Sequence, residues 1–204
     1  MLFKIGEDIM RKVFLIFTLI LLPAAVFAAP FGLEMGMTLE KIAEQCESEP
    51  EFLENDIYLV KPIKNHPVFT FYAVYVNQNV GLYQIRAISD EIETNKYGTE
   101  LQNAFNNVKD RISKTYGKPK INNNIDRNLY ELYQKDEYWF YTLKEGSREL
   151  SAVCGTSSSL ADNLDFVALQ CSAVNGYLEE NGQLVLYYCF SNSSSVEDEQ
   201  DSVF

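Results

Sequence analysis

The chain has 204 residues, 47% of them apolar and 23% charged, with 29 acidic against 17 basic side chains and a formal net charge of −12. That is enough apolar material for one ample core or two small ones. So acidic a surface repels phosphate, which excludes nucleic acid and anionic membrane as partners, since both are bound through lysine and arginine.

Met10, Arg11 and Lys12 precede an apolar run from Val13 to Leu22, then Pro23 and the small-residue end Val26-Phe27-Ala28. This is the three-part pattern of a secretory signal peptide over residues 1–28, with cleavage expected after Ala28. The uninterrupted run falls short of the roughly 20 residues that span a bilayer, so no transmembrane span is expected in the mature chain. Glu7 and Asp8 are unusual ahead of a signal core, and translation from Met10 competes with translation from Met1. Removing residues 1–28 takes away Lys4, Arg11 and Lys12 against Glu7 and Asp8, which leaves 14 basic and 27 acidic residues. The expected location is the periplasm or the medium.

In the mature chain Thr38 stands as an N-cap before Leu39, Ile42, Ala43 and Cys46 at helical spacing, a short helix ended by Pro50. Asp56 to Pro62 and Val68 to Val76 read as strands. The second is rich in aromatic and β-branched residues on both faces, as a strand covered on each side is. In Gly81 to Ser89, Tyr83, Ile85 and Ala87 alternate with Gln84 and Arg86, so one face is buried and one wet.

Thr99 to Pro119 is the best-specified stretch. Leu101, Ala104, Phe105, Val108, Ile112 and Tyr116 recur at steps of three and four and form one apolar stripe. Thr99 and Gln102 suit a capping box, while Gly117 and Pro119 stop the helix. Lys109, Arg111, Lys114 and Lys118 crowd its end, where positive charge suits the exposed carbonyls. A polar joint at Asn122 to Asn124 follows, then Asp126 as cap of a short helical stretch with Leu129, Leu132 and Tyr133 on one side. Glu137 to Gly146 is ambiguous between strand and helix. Arg148 to Cys154, Leu164 to Val174 and Gln183 to Asn192 read as strands, the last two joined by a turn-rich link through Asn181-Gly182.

The expected fold class is α+β, antiparallel sheet covered by helices. It forms one globular unit over 29–190, and helix-then-meander order suggests tandem halves at 29–96 and 97–190. The acidic segment 191–204 has little to bury and is expected to be disordered.

Cys46, Cys154, Cys171 and Cys189 are an even set in an exported chain, so disulfides are plausible, weighed evenly against small buried hydrophobes. Four cysteines allow three pairings, and the sequence does not choose. Cys171 and Cys189 face each other if the intervening turn is centred on Glu180, but not if Asn181-Gly182 sets the register. No C-x-x-C spacing exists and His66 is the only histidine, which argues against a zinc site. His66 precedes Pro67 in a loop and reads as a turn residue, and Ser157 to Ser159 lack the context of a nucleophile elbow. No catalytic residue, metal ligand or cofactor is assigned.

Phe31-Gly32 and Gly36-Met37-Thr38 form an F-G-x-x-x-G-M-T helix start that resembles uncharacterised secreted bacterial proteins, as do the blocks 66–88 and 95–119. The Gly36-Met37-Thr38 start followed by a meander is also similar to the small outer-membrane-assembly lipoproteins and to the β-lactamase inhibitor protein with its tandem helix-plus-sheet repeats. The chain departs from the lipoproteins in having no cysteine after the apolar run. The resemblance implies a protein that binds other proteins and does no chemistry.

The unusual supply is aromatic, with 13 tyrosines, 13 phenylalanines and one tryptophan. Tyr72, Tyr75, Trp139, Tyr141, Tyr187 and Tyr188 are candidates for a recognition platform, because tyrosine and tryptophan give rigid contact area with a polar tip. The same residues would serve as packing between helices and sheet. The expected function is an exported binding protein acting on another envelope or extracellular protein, as inhibitor or assembly accessory. The alternative is a cell-wall glycan binder using the same rings.

Overall fold

A computed structural model describes residues 29–126, 131–155, 160–174 and 180–196. The signal segment, the turn expected to follow the Asp126 cap at 127–130, the serine loop 157–159 and the tail beyond 196 lie outside the described residues.

Nine strands form one antiparallel sheet: β1 (Glu51–Glu54), β2 (Ile57–Val60), β3 (Phe69–Asn77), β4 (Gly81–Ser89), β5 (Ile92–Glu93), β6 (Lys120–Ile125), β7 (Arg148–Cys154), β8 (Leu164–Ala173) and β9 (Asn181–Phe190). Their order is β1-β2-β3-β4-β9-β8-β7-β6, with β5 paired to β9 at its start. Two four-stranded meanders thus meet through their last strands, β4 and β9, in register Ile85 to Tyr188 and Ala87 to Leu186. Helices α1 (Leu39–Ala43), α2 (Thr99–Tyr116) and α3 (Trp139–Lys144) complete the α+β fold. No helix among the described residues is long and apolar enough to cross a membrane.

Side chains alternate across each strand, so the register fixes two faces. Val74, Ile85, Leu186, Tyr188, Val167, Leu169 and Ala152 share the covered face. Here α2 lays down Leu101, Phe105, Val108 and Ile112, all buried as the 3.6-residue spacing requires. Removing four such side chains from water stabilises the fold by about 1.5–3 kcal/mol each. On the same side α3 packs on β7 and β8, and α1 contributes the fully buried Ile42 to the same core.

Several expectations are corrected in detail. The start of α2 is capped not by a Thr99–Gln102 box but by Asn95, whose Oδ1 accepts the N–H groups of Tyr97 and Thr99 at 2.9 and 3.4 Å. Gln102 donates instead to the Tyr97 carbonyl at 2.8 Å. Helix α1 stops at Ala43, long before Pro50, because Cys46 bridges to Pro62 in extended backbone. Asn122 to Asn124 is no joint but part of edge strand β6, aligned along β7 from Lys120–Val153 to Ile125–Arg148. Glu137 to Gly146 resolves as a 3-10 turn and a helix, in which Thr142 Oγ1 donates to the carbonyls of Tyr138 and Trp139. Strand β3 is covered on one face only, with Phe71 57% exposed on the other.

The segment after Phe190 is ordered where it is described. Asn192 Nδ2 donates to the carbonyls of Val80 and Leu82 at 3.0 and 3.1 Å, and Val196 is buried. The disorder expected from residue 191 therefore does not hold for 191–196.

Candidate functional site

Helices α1, α2 and α3 leave the second face of the sheet open; among the described residues the helical turn 193–196 reaches it at Cys189, whose Sγ donates to Ser193 Oγ at 3.2 Å. One row of its side chains runs Leu59, Ala73, Arg86, Tyr187, Ala168 and Val153 across β2, β3, β4, β9, β8 and β7. Arg86 sits in the middle of it. Its guanidinium carbon lies 5.2 Å from the Tyr75 ring centre and 5.0 Å from that of Tyr187, so the cation is clamped between two π-faces. Ala73 and Ala168 flank the row with methyl groups and leave room for the large side chains. Arg86 Nε is buried and has no acceptor among the described residues.

Around this centre the face is mixed and partly wet. Phe71 and Ile88 stand opposite each other on β3 and β4, Val185 continues their row on β9, and Phe166 stands beside Cys189. Gln84 lies between Tyr75 and Cys189, and Gln170 between Ser151 and Val185, on the same face. Leu59 and Phe71 are exposed, Ala73 and Cys189 are buried, and Tyr75, Arg86, Ile88 and Tyr187 are half-buried. Acidic groups stand at the rim: Glu51 opposite Leu59, and Glu54 opposite Ile57. Burial raises the Tyr75 hydroxyl pKa above its usual value; Arg86 works against that shift, and Tyr187 and Glu54 with it.

The six aromatic candidates separate. Tyr75 and Tyr187 are on the open face. Tyr72, Trp139 and Tyr188 are in the core at 4%, 4% and 8% exposure, which withdraws them from any surface platform. Their polar tips are occupied internally or enclosed: Tyr72 Oη donates to the Phe69 carbonyl at 3.1 Å, and Arg148 stacks its guanidinium on the Trp139 ring at 5.7 Å. Tyr141 is exposed but elsewhere, stacked on Tyr133 at 5.5 Å beside Tyr138 on the outer side of α3. Arg86 is the residue that reading along the chain passed over. Its alternation with Ile85 and Ala87 placed it on a wet face, but nothing local announces that Tyr187 comes beside it.

None of the four buried cysteines is disulfide-bonded, so of the two readings weighed the small buried hydrophobe is the one found. The register explains it for the C-terminal pair. Asn181 and Gly182 begin β9 instead of turning, Cys171 stands opposite Leu184 on the covered face, and Cys189 stands beside Gln84 and Phe166 on the open one. Burial pushes the Cys171 thiol up to about 12 and raises those of Cys46 and Cys154, which keeps them protonated and unreactive. Dithiothreitol is therefore expected to leave the melting temperature unmoved, and Ellman's reagent to find four thiols only after unfolding. A drop of several degrees on reduction would reveal a stabilising disulfide.

Tyr116 and Tyr188 pack edge to face at 6.0 Å in the core. Burial pushes Tyr116 from 10.0 up to about 12 and raises Tyr188 in the same direction, so the fold prefers both phenols neutral. The stability they contribute is whole below the unfolded value near pH 10 and is lost as the pH climbs from there toward about 12. Urea midpoints measured either side of pH 10 should fall steeply on the alkaline side, and Tyr116→Phe should flatten part of that fall. An unchanged slope in the variant would assign the alkaline loss to other groups.

His66 serves its own loop. Its Nδ1 accepts the Val68 N–H at 3.3 Å, its carbonyl accepts the Phe69 N–H at 2.9 Å, and burial lowers its pKa with Arg111 adding to the effect. Among the described residues no group of three or more His, Cys, Asp and Glu side chains is arranged to hold a metal ion. No family model, curated protein or solved structure matches the chain.

Proposed function

We propose that this is an exported, non-enzymatic binding protein that engages another envelope or extracellular protein through the open face of its sheet, as an inhibitor or assembly accessory. The observation that carries the reading is the Tyr75–Arg86–Tyr187 stack at the centre of a face where Phe71, Ile88 and Val185 stand beside Gln84 and Gln170. Tyrosine and arginine dominate the energetics of protein interfaces because they bring large, rigid area and directed hydrogen bonds into a desolvated centre. The other guanidinium N–H groups of Arg86 are free to meet a carboxylate or carbonyl of the partner, with apolar side chains against Phe71, Ile88 and Val185. The similarity of the Gly36-Met37-Thr38 start and the meander after it to protein-binding families supports the same reading.

The glycan alternative needs free ring faces for a sugar to stack on. Arg86 already occupies one face of each of the two tyrosines, which favours a protein partner. Affinity capture from envelope extract, run beside cosedimentation with insoluble peptidoglycan, tests the reading. A defined protein retained by the wild type and lost with Tyr187→Ala supports it; cosedimentation without a retained protein contradicts it.

A further inference from the structure

On the other side of the sheet a cleft of about 400 Å³ opens between the N-terminal turn Pro30–Gly32, the last turns of α2 and strand β9. That size is at the lower end of sites for small organic ligands, roughly 300–1,000 Å³. Its walls are apolar: Phe31, Phe69, Val108, Ile112 and Leu186, with Tyr188 beneath. Phe31 adopts a left-handed backbone conformation, φ 56°, that sets its ring edge-on to Tyr72 at 4.9 Å and to Tyr188 at 5.6 Å. A bulky residue in that conformation is a local strain retained at the mouth of a cavity.

The charge of the cleft opposes that of the protein. In a chain with 29 acidic residues, none lines it, whereas Lys64, His66 and Arg111 do. Neither Lys64 nor Arg111 has an ion-pair partner among the described residues, where the pairs are Lys96–Glu137 and Lys109–Asp110. Gly32 lets the Lys64 stem pass close, since a Cβ there would come 3.2 Å from Lys64 Cδ. Asp162 acts electrostatically on Tyr116 at the cleft's edge.

We propose that this cleft binds a small amphipathic monoanion, a free alkyl or aryl carboxylate, with its carboxylate at Arg111 and Lys64 and its apolar body against Phe31, Phe69 and Leu186. An arginine and a lysine at the mouth give charge-assisted hydrogen bonds to a carboxylate, and the apolar walls take the tail out of water. The site is on the opposite side of the sheet from Arg86, so it stands or falls independently of the proposed partner surface.

The test uses decanoate as probe, with decan-1-ol as its uncharged counterpart, both displacing 1-anilinonaphthalene-8-sulfonate from the purified full chain. Decanoate is expected to displace the dye saturably and at least tenfold more strongly than the alcohol. The double variant Arg111→Gln, Lys64→Gln changes two exposed side chains and so keeps the fold, which circular dichroism checks; it should weaken decanoate about tenfold or more and leave the alcohol unchanged. Equal displacement by acid and alcohol, or unchanged decanoate affinity in the folded double variant, overturns the proposal. So does an absence of saturable binding.

Discussion

Gly81→Ala should destabilise the protein by at least about 3 kcal/mol in urea unfolding, from a left-handed conformation that costs alanine roughly 1–2 kcal/mol and a clash that cannot relax. Gly81 has φ 71°, and an added Cβ would run into the carbonyl group and Cα of Gly36. Both partners are backbone, so no side chain can swing aside. The contact is also a junction: the Gly36 N–H donates to the Leu82 carbonyl and the Leu82 N–H to the Met37 carbonyl, each at 2.9 Å, while Asn192 closes on Val80 and Leu82 from the other end of the chain. Gly146 supplies the control. Its φ is 71°, as at Gly81, but a Cβ there meets nothing within 4 Å, so Gly146→Ala should cost only about 1–2 kcal/mol. Equal losses at the two positions would show that backbone conformation alone matters and that the junction is loose.

How much of this was legible depended on distance along the chain. The stripe of α2 is written in local spacing, and Leu101, Phe105, Val108 and Ile112 are buried as their periodicity requires. Alternation likewise placed Ile85 and Ala87 inward and Arg86 outward. Strand β6 was not legible, because Asn122 to Asn124 disfavour extended structure on their own and are held there by pairing with β7. The fate of the cysteines hung on a register that the Asn181-Gly182 signal misreported. The centre of the candidate site was least legible of all: Tyr75 and Arg86 meet Tyr187 because β9 returns from the far end of the chain to lie beside β4. The six tyrosine and tryptophan candidates could not be sorted until that pairing was known, since aromatic side chains serve cores and surfaces alike.

Arg86→Ala and Tyr187→Ala should each weaken partner binding by about 2 kcal/mol, roughly 30-fold, the loss typical of a central interface anchor. Each removes half of a stack, so the double variant should lose less than the sum of the two. Both residues project from the face opposite α2, so the cost to stability should stay below that of an α2 core substitution such as Phe105→Ala, which removes a ring only 1% exposed and costs about 3–5 kcal/mol. Tyr141→Ala, which trims the separate cluster with Tyr133 and Tyr138, should leave binding unchanged. Binding that is lost with Tyr141→Ala and kept with Arg86→Ala would move the interface to the helical side.

Site-specific photo-crosslinking in the producing cell tests the central claim most directly. A photoreactive residue in place of Tyr187 or Phe71 should give one discrete protein adduct, and the same residue in place of Asp110 or Asn106 on the outer side of α2 should give none. Adducts confined to the helical side, or none from either sheet position in a correctly folded protein, would contradict the account.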